Sequence, residues 1–249
     1  TTSDNITVQN MTIDVSSASE QVSGGVDRML EFSGRAETPQ LITTDRDRGD
    51  FTIQVPSTTD FSVDQWCILE SDAVFESGQS VTLGQYVCIK SVDSATEVTL
   101  HNDLLYSFSM GDNAQLVPIT TKRNISFRDV IFKGADDHSQ VGLVFEKCQD
   151  VTVDNCKFED IDYTAIIISR CVNFTSSDCT VRNANLTGTS YGYGIYNGSY
   201  GVSVVNGYGE DLRHFVTIGD NEGINLIVNV TNCHVTACRD AAIDAHAAA

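Results

Sequence analysis

The chain has 249 residues, of which 41% are hydrophobic, so it can bury a sizeable core as one long domain or as a domain with an insertion. Its 15 Lys and Arg residues against 34 Asp and Glu residues give a net charge of −19, which repels nucleic acid and anionic membrane surfaces. We therefore expect no nucleic-acid partner. We also expect no membrane insertion, because the sequence has no apolar run of about eighteen residues and no signal-peptide pattern. The chain also begins without Met, and we expect it to be a fragment of a longer chain.

Residues 1–35 predict the first coil or coils of a repeating β structure. The stretches "NITVQNMTI", which contains Asn10, and "GGVDRMLEFSG" (24–34) alternate apolar and polar residues with a period of two, as β-strands do. Helical periodicity is absent from both.

Residues 36–122 predict an inserted small β-barrel or sandwich. They contain four stretches with strand alternation, "DFTIQVPSTTDF", "DQWCILESD", "GQYVCIKSVDSATEVTLHNDL" and "NAQLVPIT", which indicate four to six antiparallel strands joined by hairpins. Trp66 is the natural core anchor of this module, and an exposed role in ligand stacking is the alternative. Cys67 and Cys88 are the pair best placed for a disulfide, although buried thiols are the more common state of such residues.

Residues 123–249 carry a repeat that specifies the fold. In each repeat an Asn or Asp lies between two short segments in which apolar and polar residues alternate. Successive Asn or Asp residues of this kind are 26, 23, 28 and 26 residues apart. A unit of this length with short strands and no helix cannot close its own core, so successive units must stack. The sequence therefore predicts a right-handed parallel β-helix with coils of about 23–28 residues. The turn residues are Asp129, Asn155, Asp178, Asn206 and Asn232.

Cysteines recur at coil spacing, which predicts their position in the stack. Cys156, Cys179 and Cys233 each follow a turn residue and are expected to point inward in one column, and Cys148 and Cys171 in another. They lack CxxC pairs and interleaved His, so we expect buried thiols and neither a metal nor a cofactor. The seven Asn-x-Ser/Thr sequons follow from a turn Asn before a strand Ser or Thr, and we interpret them as structural.

The coils "NISFRDVIF" and "DVTVDNCKFEDI", together with the inserted "GDFTIQVPSTTDFSVDQWCIL", resemble the pectin-lyase-like β-helix superfamily and especially the tailspike and tail-fibre proteins of tailed bacteriophages. This resemblance implies a polysaccharide or host-surface glycan lying along the solenoid. It also implies a homotrimer, contacts with other virion tail proteins, and a place in the virion tail or outside the cell.

The candidate site lies near the C-terminus. Alternation in "AAIDAHAAA" points Asp244 and His246 outward together, with Asp220 one coil back, and we expect these three to be catalytic. Asp-x-His is similar to the Asp-Pro-His element of mannuronan C5-epimerases and related lyases, where a Tyr assists, although Ala241 stands at the position expected for that Tyr. The turns before these strands supply further polar residues, Arg213, His214, Arg239 and Asp240.

A Gly- and Tyr-rich stretch (188–203) offers stacking surfaces for sugar rings, among its residues Tyr191, Tyr193, Tyr196 and Tyr200. We expect Arg239, Arg213, Tyr193 and Tyr196 to bind substrate. The alternatives are a polar pair on a solvated strand for Asp244 and His246, and a Gly-rich turn with packed tyrosines for this stretch.

Three classes of function remain open. The first is recognition of host polysaccharide during attachment, with or without depolymerase activity. The second is a polysaccharide lyase, hydrolase or mannuronan-epimerase-like enzyme. The third is a structural spacer in a fibre.

Overall fold

The structure, a computed structural model, describes residues 4–17, 26–74, 81–135, 139–184, 190–219, 223 and 225–245. The described residues divide into two compact units, a solenoid (the described parts of 4–33, 122–219 and 225–245) and a module (the described parts of 34–121, with 223). In chain order the first nine strands are β1 (Ile6–Asp14), β2 (Asp27–Ser33), β3 (Arg35–Ala36), β4 (Gln40–Leu41), β5 (Thr52–Gln54), β6 (Trp66–Val74), β7 (Thr82–Val92), β8 (Glu97–Leu100) and β9 (Gln115–Thr120).

The remaining strands all belong to the solenoid, and a 3₁₀ turn at Met110–Asp112 belongs to the module. No helix among the described residues is long and apolar enough to cross a membrane. The solenoid strands are β10 (Lys122–Lys133), β11 (Gln140–Glu146), β12 (Cys148–Asp154), β13 (Lys157–Glu159), β14 (Thr164–Ser169), β15 (Val172–Ser177), β16 (Thr180–Arg182), β17 (Tyr191–Tyr196), β18 (Tyr200–Val205), β19 (Tyr208–Glu210), β20 (His214–Gly219), β21 (Leu226–Thr231), β22 (His234–Thr236) and β23 (Ile243–Ala245).

The solenoid strands pair in parallel between successive coils. One sheet has the order β2-β11-β14-β17-β20-β23. The other runs β21-β18-β15-β12-β10-β13-β16-β19-β22, with β1 paired to β10. β10 therefore pairs with both β12 and β13, and from the next coil onward a turn residue divides this segment into two strands. The parallel β-helix predicted from the repeat is confirmed.

The turn residues adopt the left-handed backbone conformation that Asn and Asp tolerate better than most other residues. Asp129, Asn155, Asp178, Asn206 and Asn232 have φ between 48° and 54°. Their side chains form a ladder across the coils, in which Asn155 Nδ2 donates to Asp129 Oδ1 at 2.6 Å and Asn206 Nδ2 donates to Asp178 Oδ1 at 3.1 Å. Because Asn stands between the first two Asp residues, the ladder gains hydrogen bonds and avoids like charges on adjacent rungs.

The residue after each turn points inward, as predicted. Cys156 and Cys179 are buried, and the Cys156 N–H donates to Cys179 Sγ at 3.4 Å. Gly207 occupies the next rung, and its N–H donates to Cys233 Sγ at 3.4 Å, so the three cysteines share one column with a glycine between the last two. The second column is also formed, since Cys148 and Cys171 are both fully buried. All eight cysteines lie in the described residues and none is in a disulfide, Cys67 and Cys88 included.

The module is an antiparallel sheet with the order β3-β9-β6-β7-β8-β5, and β4 pairs with β9. It has seven strands where four to six were predicted, because three of them contain only two or three residues. Trp66 is half-buried beside Tyr86 and lies outside the core cluster, so its predicted role as the core anchor is wrong. Alternation along β6 sends Cys67 and Leu69 into that core and Trp66 to the opposite face. That these residues form an inserted module which the solenoid does not need for its own folding stays a prediction.

Candidate functional site

Charged and aromatic side chains gather on three neighbouring strands of the solenoid, β17, β20 and β23. We call this group the His214 cluster. It comprises Tyr191, Arg213, His214, Asp240 and Asp244, of which Arg213 and Asp240 lie in the turns that precede β20 and β23.

His214 lies at the centre of the cluster, with only 5% of its side chain exposed. Its Nδ1 is 2.7 Å from the carbonyl oxygen of Ala241, and its Nε2 is 3.4 Å from Asp244 Oδ2. The ring also stacks on Tyr191, with centroids 5.5 Å apart and planes 27° apart. Both ring nitrogens therefore face oxygen atoms, and the imidazole holds the Asp244 carboxylate in place.

Arg213 forms the exposed side of the cluster. Its Nε donates to Asp240 Oδ2 at 2.9 Å, its Nη1 donates to the Tyr191 hydroxyl at 3.2 Å, and its guanidinium carbon lies 5.9 Å from the Tyr191 ring centroid. The hydrogen bond to Asp240 raises the pKa of Arg213, and the same bond lowers the pKa of Asp240. Both groups are therefore ionised at neutral pH, as a fixed pair.

The cluster departs from the pattern of the two coils that contain β11 and β14. Register aligns Arg28, Val141, Thr164, Tyr191 and His214 in one column. The first coil thus has a charged residue in this column, the next two have Val141 and Thr164, and an aromatic ring and an imidazole follow. Local departures of this kind in a repeating scaffold point to a requirement other than packing.

The predicted site residues have different outcomes. Asp244 and Arg213 both belong to the His214 cluster, whereas Asp220 and His246 lie outside the described residues. Arg239 reaches the backbone of an earlier coil, where its Nη2 donates to the Ala184 carbonyl oxygen at 3.0 Å. Its predicted role in binding stays a prediction.

Tyr193 requires a correction. Its side chain is fully buried, its hydroxyl is 2.8 Å from Ser176 Oγ, and its ring packs edge-on against Phe215 at 5.3 Å. No ring surface is left for a sugar, so Tyr193 is a core residue rather than a substrate-binding one. Tyr196 is half-buried with its ring over Gly194, and its binding role stays a prediction.

A second polar group was not singled out from the sequence. Arg182 lies 5.0 Å over the Tyr208 ring and binds Glu210 through Nε at 3.1 Å, and His234 stacks on Tyr208 at 5.7 Å. We call these four residues the Tyr208 cluster. The signal in the sequence was the 26-residue step from Tyr208 to His234, which equals one coil and places the two rings on adjacent rungs.

A third surface is a polar groove of about 560 Å³ along β1, β10, β12 and β15. Its lining repeats with the coils, because strand residues with a left-handed backbone, such as Asn124, Asp150 and Asn173, alternate with strand hydroxyls such as Thr152 and Thr175. This repetition also explains the sequons that begin at Asn124 and Asn173. The polarity of the groove is thus a consequence of the left-handed strand positions, which favour Asn and Asp.

Comparisons with known proteins identify the fold. No protein-family model and no curated protein sequence matches the chain. Among solved structures, the tailspike gp61 of Pseudomonas phage phi297 matches 97% of this chain with 17% identity and a TM-score of 0.66. The Gp54 tailspike of Acinetobacter baumannii bacteriophage AP22, solved in complex with A. baumannii capsular saccharide, matches 95% of it with 17% identity and a TM-score of 0.62.

The chain therefore has the β-helix fold found in phage tailspikes, as its sequence resemblance predicted. It spans 39% of the length of each of these two tailspike chains.

Proposed function

We propose that the chain is the glycan-binding part of a phage tailspike and that it binds a host cell-surface polysaccharide at the His214 cluster. The observation that carries this proposal is the convergence of Arg213, Asp240 and Asp244 on one polar cluster with His214. Carboxylate and guanidinium groups held in place are suited to the hydroxyl groups of a sugar, which donate and accept hydrogen bonds at fixed spacing. The saccharide in the AP22 tailspike supports the same class of ligand.

The geometry favours binding over bond cleavage. A general acid or base needs a titrating atom within reach of the substrate, and both nitrogens of His214 are already directed at protein oxygens. Asp244 and Arg213 are the groups that reach solvent, with 30% and 34% of their side chains exposed. They can therefore hold a sugar, while His214 and Tyr191 position them from beneath.

Depolymerase or epimerase activity is a second candidate, and it rests on the contact between His214 and Asp244. A carboxylate fixed by an imidazole could act on a glycosidic oxygen or on a ring proton if a substrate displaced one of the contacts of the imidazole. The proposal for catalysis thus needs a rearrangement that the proposal for binding does not.

The test is a titration of the chain with capsular and exopolysaccharide fragments, followed by calorimetry, with product formation measured in the same samples. Hydrogen bonds to charged groups are worth about 1.5–3 kcal/mol, so Asp244→Asn and Arg213→Gln should each weaken binding by roughly tenfold or more. Binding without product supports the adhesin, and product that is lost in Asp244→Asn supports the enzyme.

The Tyr208 cluster provides a matched control, because Arg182→Gln removes an arginine with a similar aromatic and acidic environment. The Arg182→Gln variant should bind the glycan with the same affinity as the unchanged protein. A loss of binding in Arg182→Gln, or in Thr152→Ala of the polar groove, with normal binding in Arg213→Gln would move the binding site away from the His214 cluster. Absence of binding to any glycan in an intact tailspike would favour the spacer.

The proposal includes assembly as a homotrimer with other tail proteins in the virion. The resemblance to tailspikes supports it, and light scattering of the full tailspike after size exclusion measures it. A monomeric full tailspike would contradict the trimer without affecting the glycan site.

A further inference from the structure

We propose that Asp64, Cys88 and His101 of the module bind a zinc ion. One ligand atom from each residue, a carboxylate oxygen, the thiol sulfur and an imidazole nitrogen, can be chosen so that all three lie within 4.8 Å of one another. Ligand atoms around one tetrahedral zinc are about 3–4 Å apart, so only a small approach of the side chains is needed.

The backbone brings these three residues together before any ion arrives. The Asp64 N–H donates to the Ile89 carbonyl oxygen at 2.8 Å, and the His101 N–H donates to the Cys88 carbonyl oxygen at 2.9 Å. Backbone hydrogen bonds to Cys88 and Ile89, two consecutive residues of β7, thus hold His101 and Asp64, one on each side of Cys88. The turn that carries Asp64 is closed by the Gln65 N–H bond to the Ser62 carbonyl oxygen at 3.2 Å, and Asp64 occupies it with φ of 62°.

The side chains combine a fixed ligand with two adjustable ones. Cys88 is 9% exposed and lies on a central strand, whereas 82% of the Asp64 side chain and 45% of the His101 side chain are exposed. His101 Nε2 is already 3.4 Å from Asp64 Oδ1. Rotation of these two surface side chains can therefore close the site over the sulfur without movement of the sheet.

The donor set selects the metal. A thiolate and an imidazole favour zinc and similar transition metals, whereas magnesium and calcium prefer oxygen ligands. Three protein ligands leave a fourth tetrahedral position for water. In this arrangement zinc fastens the turn at Asp64 and the segment at His101 to β7, and the module gains stability when the ion binds.

The test uses the full chain, reduced and freed of metal with a chelator, and titrated with Zn²⁺ in competition with a chromophoric chelator. Co²⁺ replaces Zn²⁺ in a parallel titration, because a bound thiolate gives a charge-transfer band and four-coordinate cobalt gives intense visible bands. We expect one Zn²⁺ per chain, both cobalt signatures, and a higher melting temperature with Zn²⁺ but not with Mg²⁺.

His101→Gln and Asp64→Asn change exposed side chains and should fold normally, which circular dichroism checks. Loss of a ligand should weaken Zn²⁺ binding by at least about 100-fold, the upper range found for outer-shell changes. Cys88→Ser should remove the cobalt charge-transfer band. Asp60→Asn, in the same loop, and Cys238→Ser, in the solenoid, should bind Zn²⁺ as the unchanged protein does.

Zn²⁺ affinity that stays the same in His101→Gln and Asp64→Asn would overturn the proposal and assign the ion to the general acidity of the surface. A cobalt complex without the thiolate band would also overturn it, as would the absence of any bound Zn²⁺.

Discussion

Phe215 fills a space in the solenoid that a neighbouring glycine leaves open, and this pair yields a quantitative prediction. In the column of Cys156, Cys179 and Cys233, Gly207 is the only one of the four residues without a side chain. A Cβ atom at Gly207 would lie 2.6 Å from Phe215 Cζ and 3.2 Å from its Cε1. The aromatic ring from the opposite sheet therefore occupies the volume that a thiol fills in the other rungs.

The magnitudes follow from burial and contact. Phe215 is fully buried, so Phe215→Ala should destabilise the solenoid by about 3–5 kcal/mol. Gly207→Ala forces a methyl group against the ring and should cost about 1–3 kcal/mol. In the Phe215→Ala background the same methyl group enters the vacated space and should restore about 0.8 kcal/mol. The two changes should thus be coupled by about 2 kcal/mol or more.

The assay is urea unfolding of the four proteins of this double-mutant cycle, followed by far-UV circular dichroism. Gly111→Ala is the control, because its new Cβ would meet nothing closer than Ser109 Oγ at 3.4 Å. Trp66, the one tryptophan, lies in the module, and its fluorescence transition should be unchanged by the solenoid substitutions. If Gly207→Ala destabilises both backgrounds equally, Phe215 does not occupy this space and the packing argument fails.

Three further predictions concern the two units and their titrating groups. Replacement of residues 34–121 by a short Gly-Ser bridge should leave a folded solenoid. Arg35 and Thr120 are paired, so the two ends of the module are close and a short bridge can join them. Aggregation with loss of the β-sheet circular dichroism signal would contradict this prediction. Asp240→Asn should lower stability slightly at neutral pH and not at all in acid. Arg213 lowers the folded-state pKa of Asp240, so the carboxylate stabilises the fold above its unfolded pKa and loses that contribution as the pH falls through the folded pKa. A difference in stability that persists in acid would exclude the ion pair as its cause. Alkylation at neutral pH, read by mass spectrometry, should modify the half-exposed Cys233 and Cys238 before the buried Cys67, Cys148 and Cys156, because the reagent reaches the first two more readily. The pKa of each buried thiol is also raised, at Cys67 by burial and at Cys148 and Cys156 by the hydrogen bond with a neighbouring thiol and by burial. Early modification of Cys156 would contradict its inward position.

The solenoid could be predicted because one physical constraint recurs in every coil. A left-handed turn selects Asn or Asp, and the residue after it must be small and apolar to enter the stack. The pairs Asn155-Cys156 and Asp178-Cys179 therefore indicate both the turn and the inward position that follows it. Stacking then follows because a single coil cannot bury its own apolar face.

The candidate site was harder to predict from the sequence, because the alternation of inward and outward residues along the strand breaks there. Phe215 and Val216 are both buried, and both of their N–H groups donate to the Ala242 carbonyl oxygen, so two successive residues point inward. Strict alternation cannot show such a break, and it likewise could not show that Tyr193 is a core residue while Tyr191 stacks on His214. In the module, Trp66 was assigned to the core by its size, but the face on which it lies depends on the register of β6.

The His214 cluster and the core beneath it are best understood as one arrangement. Phe215 anchors β20 in the interior and so fixes the preceding residue, His214, whose ring in turn positions Asp244. A buried imidazole beside a carboxylate is an expensive way to stabilise a strand, since apolar residues of similar volume often stabilise as well or better. Two earlier coils hold the same column with Val141 and Thr164, so a coil of this solenoid can close with an uncharged residue at that position. The placement of an imidazole and a carboxylate here is therefore better explained by what Asp244 and Arg213 present to solvent than by the stability of the coil.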